Sequence, residues 1–168
     1  MPGITATSPV SLSDQSLSSV VYTCSAILEQ LLDVEDHTCD SSFGSEPTVS
    51  FPVWIRRIVS KSEASLECAF VALYYLSKIQ AKFPQLRYSS TNVYRCFLVA
   101  FMLAAKFCED STFQNPSWRI IGYSFYSLEI LNAMEVEFIK LLDWNLHVSP
   151  NDLQGFLSDY KNIFDKLC

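Results

Sequence analysis

Residues Thr91–Cys108, TNVYRCFLVAFMLAAKFC, decide how this chain folds. Past Cys96 the segment is apolar around most of a helical circumference, the pattern of a helix enclosed by other helices. Such a helix needs partners, and apolar residues at helical spacing supply them on both sides of it. Upstream, Leu66, Ala69, Phe70, Leu73, Leu76 and Ile79 share one face of a helix predicted over Glu63–Lys82, opened by Ser62 with Glu63. Before it come a short helix over Pro52–Ser60 and a first helix carrying Leu17, Val20, Val21, Cys24, Ile27, Leu28, Leu31 and Leu32, with Ser13 as its N-cap. Downstream, Asn115-Pro116 reads as an N-cap followed by proline at the first helical position of Pro116–Ile121, with Gly122 as the stop. Ser127 caps a helix over Leu128–Leu142. Ser149-Pro150-Asn151-Asp152 resembles a capping box and opens a final helix with Leu153, Phe156, Leu157, Tyr160, Phe164 and Leu167. No alternating strand pattern occurs, so the expected fold class is all-α.

Charge divides the chain. Its 168 residues carry 12 Lys and Arg against 18 Asp and Glu, a net charge of -6. Residues 1–50 hold Asp14, Glu29, Asp33, Glu35, Asp36, Asp40 and Glu46 and no base at all, while 51–168 are nearly neutral. The predicted organisation is an acidic N-terminal helix and loop over 1–50, a helical domain over 51–148 and a C-terminal helix over 149–168. A chain of this balance lacks the basic face that nucleic acid requires. The six cysteines are dispersed without a CxxC pair, and Cys68, Cys96 and Cys108 lie in apolar helices as small hydrophobes. The N-terminus lacks the basic and apolar regions of a signal peptide, and the longest apolar run, Cys96–Cys108, is too short and too charged to span a bilayer. An intracellular chain with reduced thiols and no membrane partner is expected.

Catalysis finds little material. His37 lies with Cys39 and Asp40 in the acidic loop, an arrangement that could hold a metal, but two or three nearby ligands in a loop are a weak signal against the usual ligand requirement. His147 ends a helix, where a positive charge complements the dipole. The phosphate-cradling, dinucleotide, zinc-protease and serine-hydrolase motifs are all missing, and four glycines leave little for a phosphate loop. The expectation is a chain with no catalytic residues, no cofactor and no metal.

Two charges stand out on apolar helices. Lys106 follows Met102-Leu103-Ala104-Ala105, and its ammonium must reach water or an acceptor, since an unpaired buried charge is costly. A lysine that snorkels to the rim or caps its own helix end would satisfy this. Glu135 poses the same question on a helix apolar at Leu131, Met134 and Phe138, where a solvated stripe is the plainer reading.

Four segments carry a resemblance: Phe70–Ile79 (FVALYYLSKI), Ser90–Leu98 (STNVYRCFL), Leu103–Asp110 (LAAKFCED) and Met134–Leu146 (MEVEFIKLLDWNL). With them, Trp54–Val148 resembles a cyclin box, most closely the P/U type that includes the yeast phosphate-pathway cyclins. The resemblance implies a single five-helix box with one extra helix at each end. It implies a non-catalytic subunit that binds and activates a cyclin-dependent protein kinase, as a heterodimer, and helps direct it to substrates. In the family a lysine and a glutamate contact the kinase N-lobe backbone beside its mobile helix, and those positions match Lys106 and Glu135. Leu103, Phe107, Ile139 and Trp144 would exclude water around them. An adaptor of the same fold that binds a non-kinase protein is the alternative. The family's substrate-docking arginine and its aspartate fall at Thr48 and Ser77, so that patch is in doubt here.

Overall fold

The core is built around one helix whose side chains meet protein on nearly every side. A computed structural model describes residues 14–31, 48–86, 88–89 and 92–165. Its helices are α1 (Asp14–Leu31), α2 (Phe51–Lys61), α3 (Glu67–Lys82), α4 (Val93–Cys108), α5 (Asn115–Ile121), α6 (Leu128–Leu141), α7 (Pro150–Asp159) and α8 (Lys161–Phe164). No strand occurs among the described residues, so the fold is all-α. From Phe97 to Ala105 every residue of α4 is buried. Burying each large apolar side chain among them stabilises the fold by about 1.5–3 kcal/mol. α3 shares the largest interface with α4, and α2 and α6 pack on α4 as well. α1 lies across α2 and α3, α5 bridges α2 and α6, and α7 rests on α3.

Large aromatic residues fill the centre, and their polar atoms are all satisfied. Trp54 Nε1 donates to the Tyr94 carbonyl at 3.1 Å, Trp118 Nε1 to the Phe113 carbonyl at 3.0 Å, and the Tyr75 hydroxyl to the Leu146 carbonyl at 2.6 Å. These bonds let wide rings enter the core without stranding a donor. The Tyr75 bond also pins the segment after α6 to α3.

Helix ends follow local chemistry, with three differences from expectation. Ser127 accepts from the Ile130 N–H, and Ser149 with Asp152 forms a full capping box with Pro150 in the first turn, both as the sequence indicates. α3, however, begins at Glu67 and not at Ser62-Glu63. Glu63 has φ 57, a left-handed conformation that a right-handed helix cannot contain, and Ser62 instead ends α2. The N-cap of α5 is Gln114, so Asn115 is already helical and its side chain is released from capping. The C-terminal helix is split at Tyr160 (φ -109, ψ 21) into α7 and α8. Ser13, Leu32 and Leu167, the acidic loop from Asp33 to Glu46 with His37, Cys39 and Asp40, and Thr91 lie outside the described residues.

α1 behaves as part of the body. Leu17, Val20, Val21, Cys24, Ile27 and Leu28 are buried and belong to the same core cluster as α4. Arg56 of α2 reaches Asp14 at 2.8 Å and the Ser18 hydroxyl at 2.6 Å. Asp14 is exposed, so this pair adds orientation more than stability. Arg57 caps α5, donating to the carbonyls of Ile121 at 2.8 Å and Ile120 at 3.1 Å while lying 3.9 Å from the Tyr123 ring centre. Cys24, Cys68, Cys96 and Cys108 are free thiols, and burial pushes Cys24 up to about 12. That thiol stays protonated and unreactive at neutral pH.

Candidate partner-binding site

Lys106 and Glu135 meet. The ammonium of Lys106, in the last turn of α4, lies 2.6 Å from Glu135 Oε1 in the middle of α6. Both side chains are partly covered, at 27% and 18% exposure, which screens the pair less than open solvent would. Neither the snorkelling lysine nor the solvated glutamate describes this geometry: each is the other's partner across two helices.

Two asparagines complete the cluster. Lys106 also donates to Asn115 Oδ1, and Asn115 Nδ2 donates to Glu135 Oε2 at 2.7 Å and to Asn132 Oδ1 at 2.7 Å. Asn115 is thus held between α4 and α6 by three polar atoms, one from each of three side chains. Nothing in the local sequence signals this, because Asn before Pro at the start of a helical pattern reads as a cap. Asn132, one turn before Glu135 on α6, carries an i,i+3 relation that makes the two neighbours on one face.

The apolar residues expected around the pair divide into two groups. Phe107 is 50% exposed and Trp144 is 71% exposed. Ile139 is half-buried against the core. Leu103 is 2% exposed, because its position on α4 turns it into the core. It therefore supports the helix that carries Lys106 and does not reach the surface. Val136, next to Glu135 on α6, is 45% exposed and adds an apolar group that periodicity alone did not single out.

Trp144 is held in an unusual backbone. It and Asp143 have φ 60 and 53, left-handed values that cost an L-residue about 1 kcal/mol or more each. The turn is stabilised by the Trp144 N–H on the Ile139 carbonyl at 2.9 Å, the Asp143 N–H on the Lys140 carbonyl at 2.9 Å, and an ion pair from Lys82 to Asp143. A large ring projected into solvent from a braced, strained turn is a poor use of stability unless something covers it. Among the described residues no cluster of His, Cys, Asp and Glu could hold a metal, and no helix is long and apolar enough to cross a membrane.

Comparison with known proteins gives this surface a context. The chain is similar to Cyclin-U4-1 of Arabidopsis thaliana, 27% identical over 152 residues, which are 84% of this chain and 74% of that one. It is similar to PHO85 cyclin-1 of Saccharomyces cerevisiae, 30% identical over 105 residues, 62% of this chain and 38% of the yeast protein. Cyclin-P4-1 of Oryza sativa subsp. japonica is 29% identical over 106 residues, 63% of this chain and 49% of its own length. The chain thus spans less than half of the yeast and rice relatives. The family model described as Cyclin matches residues 5–146, a stretch that takes in α1 through α6, the Lys106–Glu135 pair and the Trp144 turn. On that match the chain is a member of the cyclin family, with a cyclin box of the P/U type.

Proposed function

We propose that this chain is the regulatory subunit of a cyclin-dependent protein kinase, binding the kinase through the α4–α6 surface and having no catalytic centre of its own. The observation that carries the reading is the Lys106–Glu135 pair, half-sheltered between two rigid helices and accompanied on those helices and the turn after α6 by exposed Phe107, Val136 and Trp144. Activation requires only that the surface bind one arrangement of the kinase better than another, because differential affinity is what shifts a population. A rigid surface suits this role, since it does not adapt to both arrangements. Exposed aromatic anchors supply affinity by desolvation, and the oriented polar pair supplies register. Once bound, the subunit would also help to present substrates to the kinase. The box boundaries at 51–148 and an intracellular location belong to the same proposal.

The yeast relative's name ties it to PHO85, so PHO85 is the probe. Exchanging the charges, Lys106→Glu with Glu135→Lys, keeps an ion pair inside the protein while reversing the polarity shown to a partner. Binding of PHO85 and recovery of any kinase from a tagged pull-down should both be lost, with circular dichroism and melting close to wild type. Trp144→Ala should weaken binding at least ten-fold with the same unchanged melting, because a ring already in solvent adds little to the fold. Retained kinase binding by the charge-exchanged variant would remove the assigned surface. A pull-down that returns a non-kinase partner and no kinase would favour the adaptor reading.

A further inference from the structure

The sequence places Asn115 where a helix cap belongs, yet its side chain caps nothing. Gln114 occupies the cap position of α5 and makes no side-chain cap bond, so the first turn of α5 goes without one. The asparagine that could have filled that role is turned onto Lys106, Glu135 and Asn132. A cap forgone for a partly exposed cluster on another pair of helices points to a purpose in the cluster.

Hydrogen-bond accounting shows what the cluster offers. Among the described residues Lys106 gives two of its three ammonium hydrogens to Asn115 and Glu135. Asn115 gives both amide hydrogens, to Glu135 and Asn132. What remains outward is one ammonium hydrogen, unused lone pairs on the Glu135 carboxylate and the amide hydrogens of exposed Asn132. The cluster as a whole is neutral, one cation against one anion.

We propose that Asn115 is the positioning residue of this surface: it locks Lys106 and Glu135 into the one geometry in which they meet a partner, and it orients Asn132 beside them. The inference rests on the kinase-binding reading for the identity of that partner. Without the Asn115 amide, Lys106 and Glu135 each regain rotamers, and an ordered pair becomes two mobile charges. Asn132, whose side chain bonds only Asn115 among the described residues, loses its orientation as well.

The test is Asn115→Ala, with Asn132→Ala as a second variant at an exposed position that disturbs no packing. Asn115→Ala should weaken PHO85 binding at least ten-fold through faster dissociation, and Asn132→Ala by a smaller factor. Loss from Asn115→Ala should be largely absent in a Lys106→Met background, because both changes remove one unit. Nitrogen-15 NMR of the Lys106 ammonium supplies a readout that needs no partner: hydrogens slow to exchange in wild type should become fast in Asn115→Ala. Wild-type affinity in Asn115→Ala, or a loss fully additive with Lys106→Met, would overturn the proposal, as would an ammonium signal untouched by the substitution. If wild type binds no kinase but the ammonium signal behaves as stated, the kinase reading fails while Asn115 stands as the positioning residue.

Discussion

Glu109 sits one residue past α4 and ties that helix end to the start of α3. Ser65, by its hydroxyl and then by its backbone N–H at 2.8 Å, holds the carboxyl below the ordinary carboxylate range, and the Cys68 thiol adds a weaker donor at 3.4 Å. Cys68 can donate because burial pushes its own titration up to about 12, with Glu109 a further contributor. A carboxyl lowered by folding stabilises the protein fully above its unfolded value of about 4.3, and the contribution is lost as pH falls through the lower folded value. Glu109→Gln should therefore melt below wild type at pH 6–7, and the gap should close as the pH falls through the lowered folded value. A gap that is constant over that range in thermal melts would show that the carboxylate charge is not what the Ser65 bonds hold.

At the scale of elements, the turn after α5 shows why one glycine is required. Gly122 ends α5 as its sequence position indicates, but its φ of -77 is open to any residue, and the left-handed positions are Tyr123 and Ser124. The constraint is proximity: a Cβ at Gly122 would lie 2.7 Å from Leu98 Cδ2. Leu98 is 1% exposed on α4, so its methyl would have to shift within a packed core. Gly122→Ala should destabilise by about 1–3 kcal/mol as an overpacked core does. In a chain of this size that lowers the melting temperature by roughly 2–4 °C per kcal/mol. Leu98→Val in the same chain should recover part of the loss, and denaturant melts of the two variants check both statements.

At the scale of the molecule, α1 tests where the folded unit begins. Charge sets residues 1–50 apart from the rest of the chain, while the apolar face of α1 joins the core: Ile27 and Leu28 are fully buried and the family match begins at residue 5. Removing residues 1–47 would expose the apolar faces of α2 and α3 that α1 covers, a contiguous patch of the kind that drives association. The truncated chain should aggregate or lose its cooperative thermal transition. The full chain carrying Asp14→Asn, which breaks only the exposed Arg56 pair, should melt within about 1 °C of wild type. A well-folded, cooperative 48–168 fragment would show that the rest of the fold does not require α1.

The sequence by itself determined that this is an all-α protein and placed α4 at its centre, because the near-continuous apolar circumference of Phe97–Ala105 has one stable solution: enclosure by other helices. It determined the Ser127 and Ser149 caps as well, since a cap is settled within four residues of chain. Lys106 and Glu135 were legible as misfits, and the family resemblance gave them a shared role, but neither spacing nor periodicity could say that they touch. Only the tertiary structure decided that, along with the recruitment of Asn115 away from its cap, the burial of Leu103 beside the exposure of Phe107, and the left-handed turn that holds Trp144 in solvent. Each of these depends on which helices become neighbours and at what depth. A one-dimensional pattern records how strongly a residue prefers the interior, not which residue from another helix will meet it there.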